Sequence, residues 1–178
     1  MARVLWHVTC SLDGFIAGPG DRMDWMLGFG EENDEVNELL PRIGAVLAGH
    51  RTYNVGGSET HSEFQRPYGG AFTGPIFVLA HNPPHDPSVT FLSGDIARAV
   101  EAASKSAGDK YVVILGADVA RQCIEAGLIE EALIHVVPIL LGDGVRLFSS
   151  RRADEVHLEL SNVSRASQVV NLRFWFVG

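Results

Sequence analysis

The chain has 178 residues, of which 46% are apolar and 20% charged, and it carries a formal net charge of −8. This length and composition are typical of one globular domain, which we assign to residues 1–178. The acidic balance argues against a nucleic-acid surface, and no apolar run reaches the roughly 20 residues needed to cross a bilayer.

The predicted elements begin with a strand over residues 3–10, where β-branched and aromatic residues are frequent. Early acids and a shared apolar face predict a helix from Glu31 to about Arg42. Further strands are predicted at residues 44–49, 75–80, 89–92 and 111–115. A surface excursion is expected over 54–74, a helix after its cap Asp95, and a helix that follows Gly116 and ends at Gly127.

Strands and helices alternate up to this point, which indicates a parallel sheet covered on both faces. The remaining apolar segments are 132–142, 156–163 and 169–177, with no helix predicted between them. We therefore expect an α/β fold with a mixed, mostly parallel sheet that ends in antiparallel C-terminal strands.

Four predicted strands end in small or polar residues, and ligands of open α/β sheets bind beyond such carboxyl ends. These junctions are Ser11–Gly14, Gly49–Thr52, Ala80–Asn82 and Gly116–Asp118. Two of them combine a glycine with a helix start, an arrangement that would suit a pyrophosphate. Turn geometry alone is the alternative for each. No G-x-G-x-x-G or P-loop occurs, so a Rossmann or nucleoside-triphosphatase site lacks its defining loop.

Five segments in this order resemble the dihydrofolate reductase superfamily, and specifically the reductase domain of the riboflavin-pathway deaminase–reductase. The segments are Ser11–Gly18, Asp24–Trp25, Ala48–Tyr53, Ile114–Asp118 and Gly127–Gly144. They span most of the chain, and although each is loose alone, the ordered set is specific. The resemblance implies a dihydrofolate reductase-like three-layer fold, NADPH as cofactor and a small-molecule substrate.

The resemblance also implies which residues hold the cofactor. Thr9 and the Ile16–Gly18 loop would border the nicotinamide and ribose, while the two glycine turns would receive the phosphates. Ala80 to Asn82 would flank the adenosine, with His81 or Arg51 near the 2′-phosphate. The full set is Thr9, Ile16, Gly18, Gly49, His50, Arg51, Thr52, Ala80, His81, Asn82, Leu115, Gly116, Ala117, Asp118, Val119 and Ala120.

Two residues are candidates for the catalytic side of the site. Asp13 lies where the mouth of the cleft is expected and could donate a proton, or it could fix the turn before Gly14. Trp25 could cover the substrate or nicotinamide, or it could be a core aromatic. Both alternatives stay open for each residue.

The substrate half departs from the relatives. The carboxylate that binds the pterin in dihydrofolate reductases would fall at Gly30. The acid and arginine that riboflavin-pathway reductases use for their ribose phosphate would fall at Ile114 and Leu40, and their Gly-Gly pair is Gly116–Ala117. We therefore expect a reductase whose substrate differs from the family default, 5-amino-6-(5-phosphoribosylamino)uracil.

Two other functions are weighed against this one: an NADP-binding module without catalysis, and a true dihydrofolate reductase. No metal is expected, because Pro83 and Pro84 prevent a helix from aligning His81 and His85. The apolar tail favours a homodimer. The first residues lack a signal peptide's apolar stretch, so we expect a cytoplasmic protein with Cys10 and Cys123 as free buried thiols.

Overall fold

A computed structural model describes residues 2–29, 32–56, 66–149 and 155–177. The strands in these residues are β1 (Val4–Ser11), β2 (Phe15–Ala17), β3 (Ile43–Gly49), β4 (Ile76–Leu79), β5 (Thr90–Leu92), β6 (Tyr111–Leu115), β7 (Glu131–Val137), β8 (Val145–Arg146), β9 (Leu158–Ala166) and β10 (Val169–Phe176). The helices are α1 (Asp34–Leu39), α2 (His50–Gly56), α3 (Ile96–Ala107) and α4 (Ala117–Glu125).

Eight strands form one sheet in the order β5-β4-β3-β6-β1-β7-β10-β9. The strands from β5 to β7 are parallel to their neighbours, whereas β10 is antiparallel to both β7 and β9. The predicted α/β sheet is therefore confirmed, but its antiparallel part begins one strand later than expected. The reason is connectivity: α4 crosses over before β7, whereas a tight turn joins β9 to β10.

Apolar side chains cover both faces of this sheet. On one face, α3 and α4 contribute Ala99, Ala103 and Cys123 to a core shared with alternate residues of β1, such as Trp6. On the other face, Leu39 of α1 and the loop residue Phe72 pack on Leu5, Val46 and Val113. The result is a three-layer arrangement with helices on both faces.

Local sequence explains the differences from the predicted elements. The helix expected from Glu31 to Arg42 is only α1, because Pro41 has no N–H to continue it and a 3-10 turn follows over Leu40–Arg42. Residue 31 and residues 57–65 of the expected surface excursion lie outside the described residues. The short strands β2 and β8, which pair as a separate two-stranded sheet, were not predicted.

Two further expectations concern the whole chain. Cys10 and Cys123 are free and buried, as predicted, and burial raises the pKa of the Cys10 thiol to about 11. Among the described residues, no helix is both long enough and apolar enough to span a bilayer.

Close contact between α3 and β3 makes Gly44 a test of this packing. A Cβ at Gly44 would lie 2.5 Å from the carbonyl oxygen of Ala107 and 2.7 Å from its Cα. Because backbone atoms cannot yield easily, we expect Gly44→Ala to lower the free energy of unfolding by about 1–3 kcal/mol in urea denaturation. Gly18→Ala is the control, since its nearest neighbour would be 3.6 Å away. Equal stability of the two variants would contradict the packing.

Candidate functional site

The glycine turns after β3 and β6 meet because these two strands are parallel neighbours. A Cβ at Gly116 would collide with Thr52 Oγ1, and a Cβ at Gly49 would lie 3.2 Å from Val119 Cγ2. Gly116 also has a φ of +92°, which side-chain-bearing residues rarely adopt. The start of α4 therefore rests directly against α2, as expected for two turns that bind one ligand.

A cavity of about 990 Å³ opens at this edge of the sheet. Its lining includes fourteen of the residues that the sequence assigns to the cofactor: Thr9, Ile16, Gly49, His50, Arg51, Thr52, Ala80, His81, Asn82, Leu115, Gly116, Ala117, Asp118 and Val119. Gly18 and Ala120 are outside this lining. Ala120 is fully buried in the core, and the backbone N–H of Gly18 donates to the Arg22 carbonyl oxygen at 2.9 Å.

Charged side chains in the cavity are held by ion pairs. The Arg51 guanidinium donates to the Asp21 carboxylate from Nε at 2.9 Å and from Nη2 at 2.5 Å, and this hydrogen bonding raises the pKa of Arg51. At the start of α4, Arg121 donates to Asp118 at 2.9 Å. The arginines that line the cavity are Arg51, Arg66, Arg121 and Arg146. Asp21 and Asp118 line the cavity as well and pair with two of these arginines, so a phosphate would compete with carboxylates for the guanidinium groups.

The contacts of Asp13 favour the turn-fixing alternative. Its carboxylate accepts hydrogen bonds from the Ser11 hydroxyl at 2.6 Å and from the backbone N–H groups of Leu141 and Gly142 at 3.0 and 2.7 Å. These bonds, led by the one from Ser11, lower the pKa of Asp13 to about 2. A carboxylate with this pKa is ionised near neutral pH and holds no proton to donate.

Trp25 occupies the core position that the sequence left as an alternative. The side chain is buried in a small cluster with Val137 and Val169, and its indole N–H donates to the Arg22 carbonyl oxygen at 3.1 Å. It does not contribute to the cavity lining, whereas its neighbour Met26 does. Trp25 therefore supports the wall of the site from behind.

Sequence reasoning missed a group of polar residues that reach the same cavity from another strand and a loop. His7 and Tyr68 line it, and His7 is joined to the buried His135 through their Nε2 atoms at 2.6 Å. The available signal was a histidine inside each of two otherwise apolar strands. Tyr68 could not be found this way, because it lies in the predicted surface excursion.

Two of the positions at which the sequence departs from the family it resembles carry apolar side chains that pack in the core. Ile114 is fully buried, and Leu40 packs against the core below α1. Gly30 lies outside the described residues. Among the residues that the structure describes, no three His, Cys, Asp or Glu side chains form a group that could hold a metal ion.

The geometry fits a dinucleotide in this cavity. The two glycine turns pack against each other with no room for a Cβ at Gly116, four arginines line the cavity, and its volume of about 990 Å³ is at the upper end for small-molecule sites. Helix starts leave backbone N–H groups without partners in the helix, and these can donate to phosphate oxygens.

Comparison with known proteins agrees with this fold. The sequence model of the family described as RibD C-terminal domain matches residues 2–172. The chain is 27% identical over 176 residues to YwjB, an uncharacterized protein of Bacillus subtilis, and the match covers 97% of each chain.

Solved structures show the same architecture. A putative riboflavin biosynthesis protein from Shewanella sp. PV-4 superposes with a TM-score of 0.81 at 21% identity, over 100% of both chains. A dihydrofolate reductase from Enterococcus faecalis, complexed with NADP(H), superposes with a TM-score of 0.66 at 16% identity, over 98% of this chain and 96% of that one. At these identities the likeness establishes the dihydrofolate reductase-like fold.

The pKa of Asp13 yields a prediction for stability. A carboxylate whose pKa is lowered by folding stabilises the protein above its unfolded pKa of about 3.9, and that contribution disappears as the pH falls through about 2. We expect Asp13→Asn to be less stable than the wild type at pH 7, with the difference shrinking between pH 4 and pH 2. Urea denaturation across this range measures it. A difference independent of pH would contradict the assignment.

Proposed function

The chain belongs to the RibD C-terminal domain family, and on that premise we propose that it is an NADPH-dependent reductase of a small heterocycle. The observation that carries this proposal is the contact between the Gly116 turn and Thr52, which forms one cradle from two strand ends. The NADP(H) complex of the Enterococcus faecalis enzyme supports the choice of cofactor.

In this proposal, the residues of the two turns hold the phosphates. Backbone N–H groups after Gly49 and Gly116 would donate to the pyrophosphate, and Arg51 would exchange its Asp21 partner for a phosphate oxygen. Thr9 and Ile16 would border the nicotinamide. The bound cofactor supplies a hydride to the substrate. The chain itself orients the two ligands and excludes water from the space between them.

We propose that the substrate differs from that of the riboflavin-pathway enzymes. One solved neighbour, from Thermotoga maritima, is described as a deaminase and 5-amino-6-(5-phosphoribosylamino)uracil reductase. The resemblance places the acid and the arginine of such reductases at positions 114 and 40, where this chain has Ile114 and Leu40. His7 and Tyr68 give the cavity a polar wall instead. A polar wall that can contact a second ligand favours a reductase over a module that binds NADP alone. We place this enzyme in the cytoplasm, where free thiols persist.

We also propose a homodimer that forms through β9. This strand is at the edge of the sheet, and its side chains Leu158, Leu160 and Val163 are 41%, 53% and 54% exposed. The tail strand β10, which the sequence suggested as the covered edge, lies one position inside it. A second copy would remove both the apolar surface and the unpaired strand edge from water.

Titration of NADPH fluorescence tests the cofactor. We expect saturable NADPH binding that Arg51→Ala weakens at least about tenfold, because a charge-assisted bond to phosphate is lost. Asp21→Asn releases the guanidinium and should bind NADPH at least as tightly as the wild type. Arg98→Ala, on the exposed side of α3, is the control and should leave the Kd unchanged. Absence of saturable binding to the wild type would refute the proposed function.

Light scattering after size exclusion tests the dimer. The wild type should have about twice the chain mass of 19.3 kDa, and Leu160→Glu combined with Val163→Glu should reduce it to that of one chain. Leu12→Glu changes a leucine that is 64% exposed and distant in sequence, and should leave the dimer intact. A wild type that elutes with the mass of one chain would contradict the proposal.

A further inference from the structure

A row of buried polar side chains crosses one face of the sheet and ends at the cavity. His7, His135 and Asn171 lie on the neighbouring strands β1, β7 and β10, and they are 8%, 4% and 3% exposed. His7 Nε2 is 2.6 Å from His135 Nε2, and His135 Nδ1 is 2.6 Å from Asn171 Oδ1. In each of these contacts one atom donates a proton and the other accepts it. The series of donors and acceptors along the row therefore determines whether its last member can donate to or accept from a ligand in the cavity.

The contacts at the end of the row away from the cavity determine which atoms donate and which accept. The Glu35 backbone N–H donates to Asn33 Oδ1 at 3.2 Å, which identifies that atom as the amide oxygen. Asn171 donates to the same oxygen from Nδ2 at 3.1 Å. The other amide atom of Asn171 is therefore its oxygen, and the His135 ring must donate to it from a protonated Nδ1.

A second contact fixes the same orientation independently. The Ser164 hydroxyl donates to the Glu35 carboxylate at 2.9 Å, and a carboxylate can only accept. The Ser164 oxygen is then free to accept, and Asn171 Nδ2 donates to it at 3.0 Å. Both routes place the amide nitrogen of Asn171 away from His135 and its oxygen towards it.

The assignment of donors and acceptors then extends from His135 to the cavity. One proton fits between two Nε2 atoms that are 2.6 Å apart. Neutral His135 keeps its proton on Nδ1, so His7 supplies the bridging proton from Nε2. His7 Nδ1 is then an acceptor, and the Tyr68 hydroxyl, whose oxygen is 2.7 Å away, donates to it.

The surroundings keep both histidine rings neutral. Burial, followed by the neighbouring His135 and the Arg173 guanidinium, lowers the pKa of His7 well below its ordinary value. Burial also lowers the pKa of His135, against the opposing effects of Asn171 and the Glu35 carboxylate. The Tyr68 hydroxyl stays protonated as well, because burial raises its pKa.

Tyr68 lines the cavity, and because its proton is directed to His7, its hydroxyl can contact a ligand there only as an acceptor. The tyrosine ring stacks on His7, with ring centres 5.5 Å apart and planes 17° from parallel, and its φ is +59°. Its one proton is used by His7. We propose that the Tyr68 oxygen is an acceptor site in the substrate half of the cavity for a ligand that donates an N–H or O–H group. This rests on the proposed function only in taking that ligand to be the reductase's substrate.

The chemistry of the wall defines the ligand class. An anionic oxygen placed against the Tyr68 oxygen would meet its lone pairs, so the ligand atom at this point must carry a hydrogen. Apolar side chains of Ile16, Met23 and Met26 line the same cavity and suit the faces of a flat ring. A lactam heterocycle combines these properties, since it is flat and carries ring N–H donors.

Nitrogen NMR of protein labelled with ¹⁵N-histidine tests the order of the row. At pH 7 we expect two neutral rings, with the proton on Nε2 of His7 and on Nδ1 of His135. His7→Gln and His135→Gln identify the signals. Reversed tautomers, or an imidazolium at either position at pH 7, would overturn the proposal.

Matched probes test the ligand class. Uracil has two ring N–H donors, and 1,3-dimethyluracil has the same ring without them. In titrations followed by ligand-observed NMR, we expect wild-type protein to bind uracil at least about tenfold more tightly, a preference that corresponds to about 1.4 kcal/mol. Tyr68→Phe should reduce this preference to about twofold or less, and Tyr53→Phe, whose hydroxyl donates to Asp86, should keep it.

Three results would overturn the acceptor site: equal binding of the two probes, a preference that survives in Tyr68→Phe, or no saturable binding of either probe up to about 10 mM. A preference that survives would indicate that the added methyl groups simply do not fit. The titrations are run without and with NADPH. If uracil is preferred but NADPH does not bind, the reductase proposal fails and the acceptor site stands. If NADPH binds but uracil is not preferred, the acceptor site fails and the reductase proposal stands.

Discussion

The parallel pairing of β3 with β6 is the constraint on which the rest of the site depends. It brings two strand ends, separated by more than sixty residues in the sequence, to adjacent positions at one edge of the sheet. Gly116 then approaches Thr52 so closely that no side chain fits between them. Any enlargement at this contact would push α4 away from α2. The proposed cofactor site therefore depends directly on this packing.

The cavity has two halves that differ in their chemistry. The half next to the glycine turns contains backbone N–H groups and arginines, with Arg51 held by Asp21, and suits phosphate. The half next to His7 and Tyr68 contains neutral histidine rings, and its hydrogen bonds are ordered by contacts as distant as the first turn of α1.

Much of this could be predicted from the sequence, because strand ends and glycine turns are local features. The strand over residues 111–115 and the cap at Asp95 are as expected, and so is the meeting of the Gly49 and Gly116 turns. Contacts between distant residues could not be predicted in the same way. Asp13 was a candidate proton donor until its carboxylate was seen to accept from Leu141 and Gly142.

The polar row is a second case in which local sequence could not predict contacts between distant residues. A lone histidine in an apolar strand is predicted to be a core residue. The role of His7 becomes apparent only from its contact with His135, which is 128 positions away in the sequence. Tyr68 lies in a loop whose composition indicated only a surface segment. Register across three strands, rather than any local pattern, brings these residues into one hydrogen-bonded chain.

A crystal structure of the protein with NADPH would test the central claim most directly. The account predicts pyrophosphate oxygens within about 3 Å of backbone N–H groups in both turns, after Gly49 and after Gly116, with Arg51 turned from Asp21 towards a phosphate. A cofactor whose phosphates lie elsewhere, or that touches one turn alone, would contradict it.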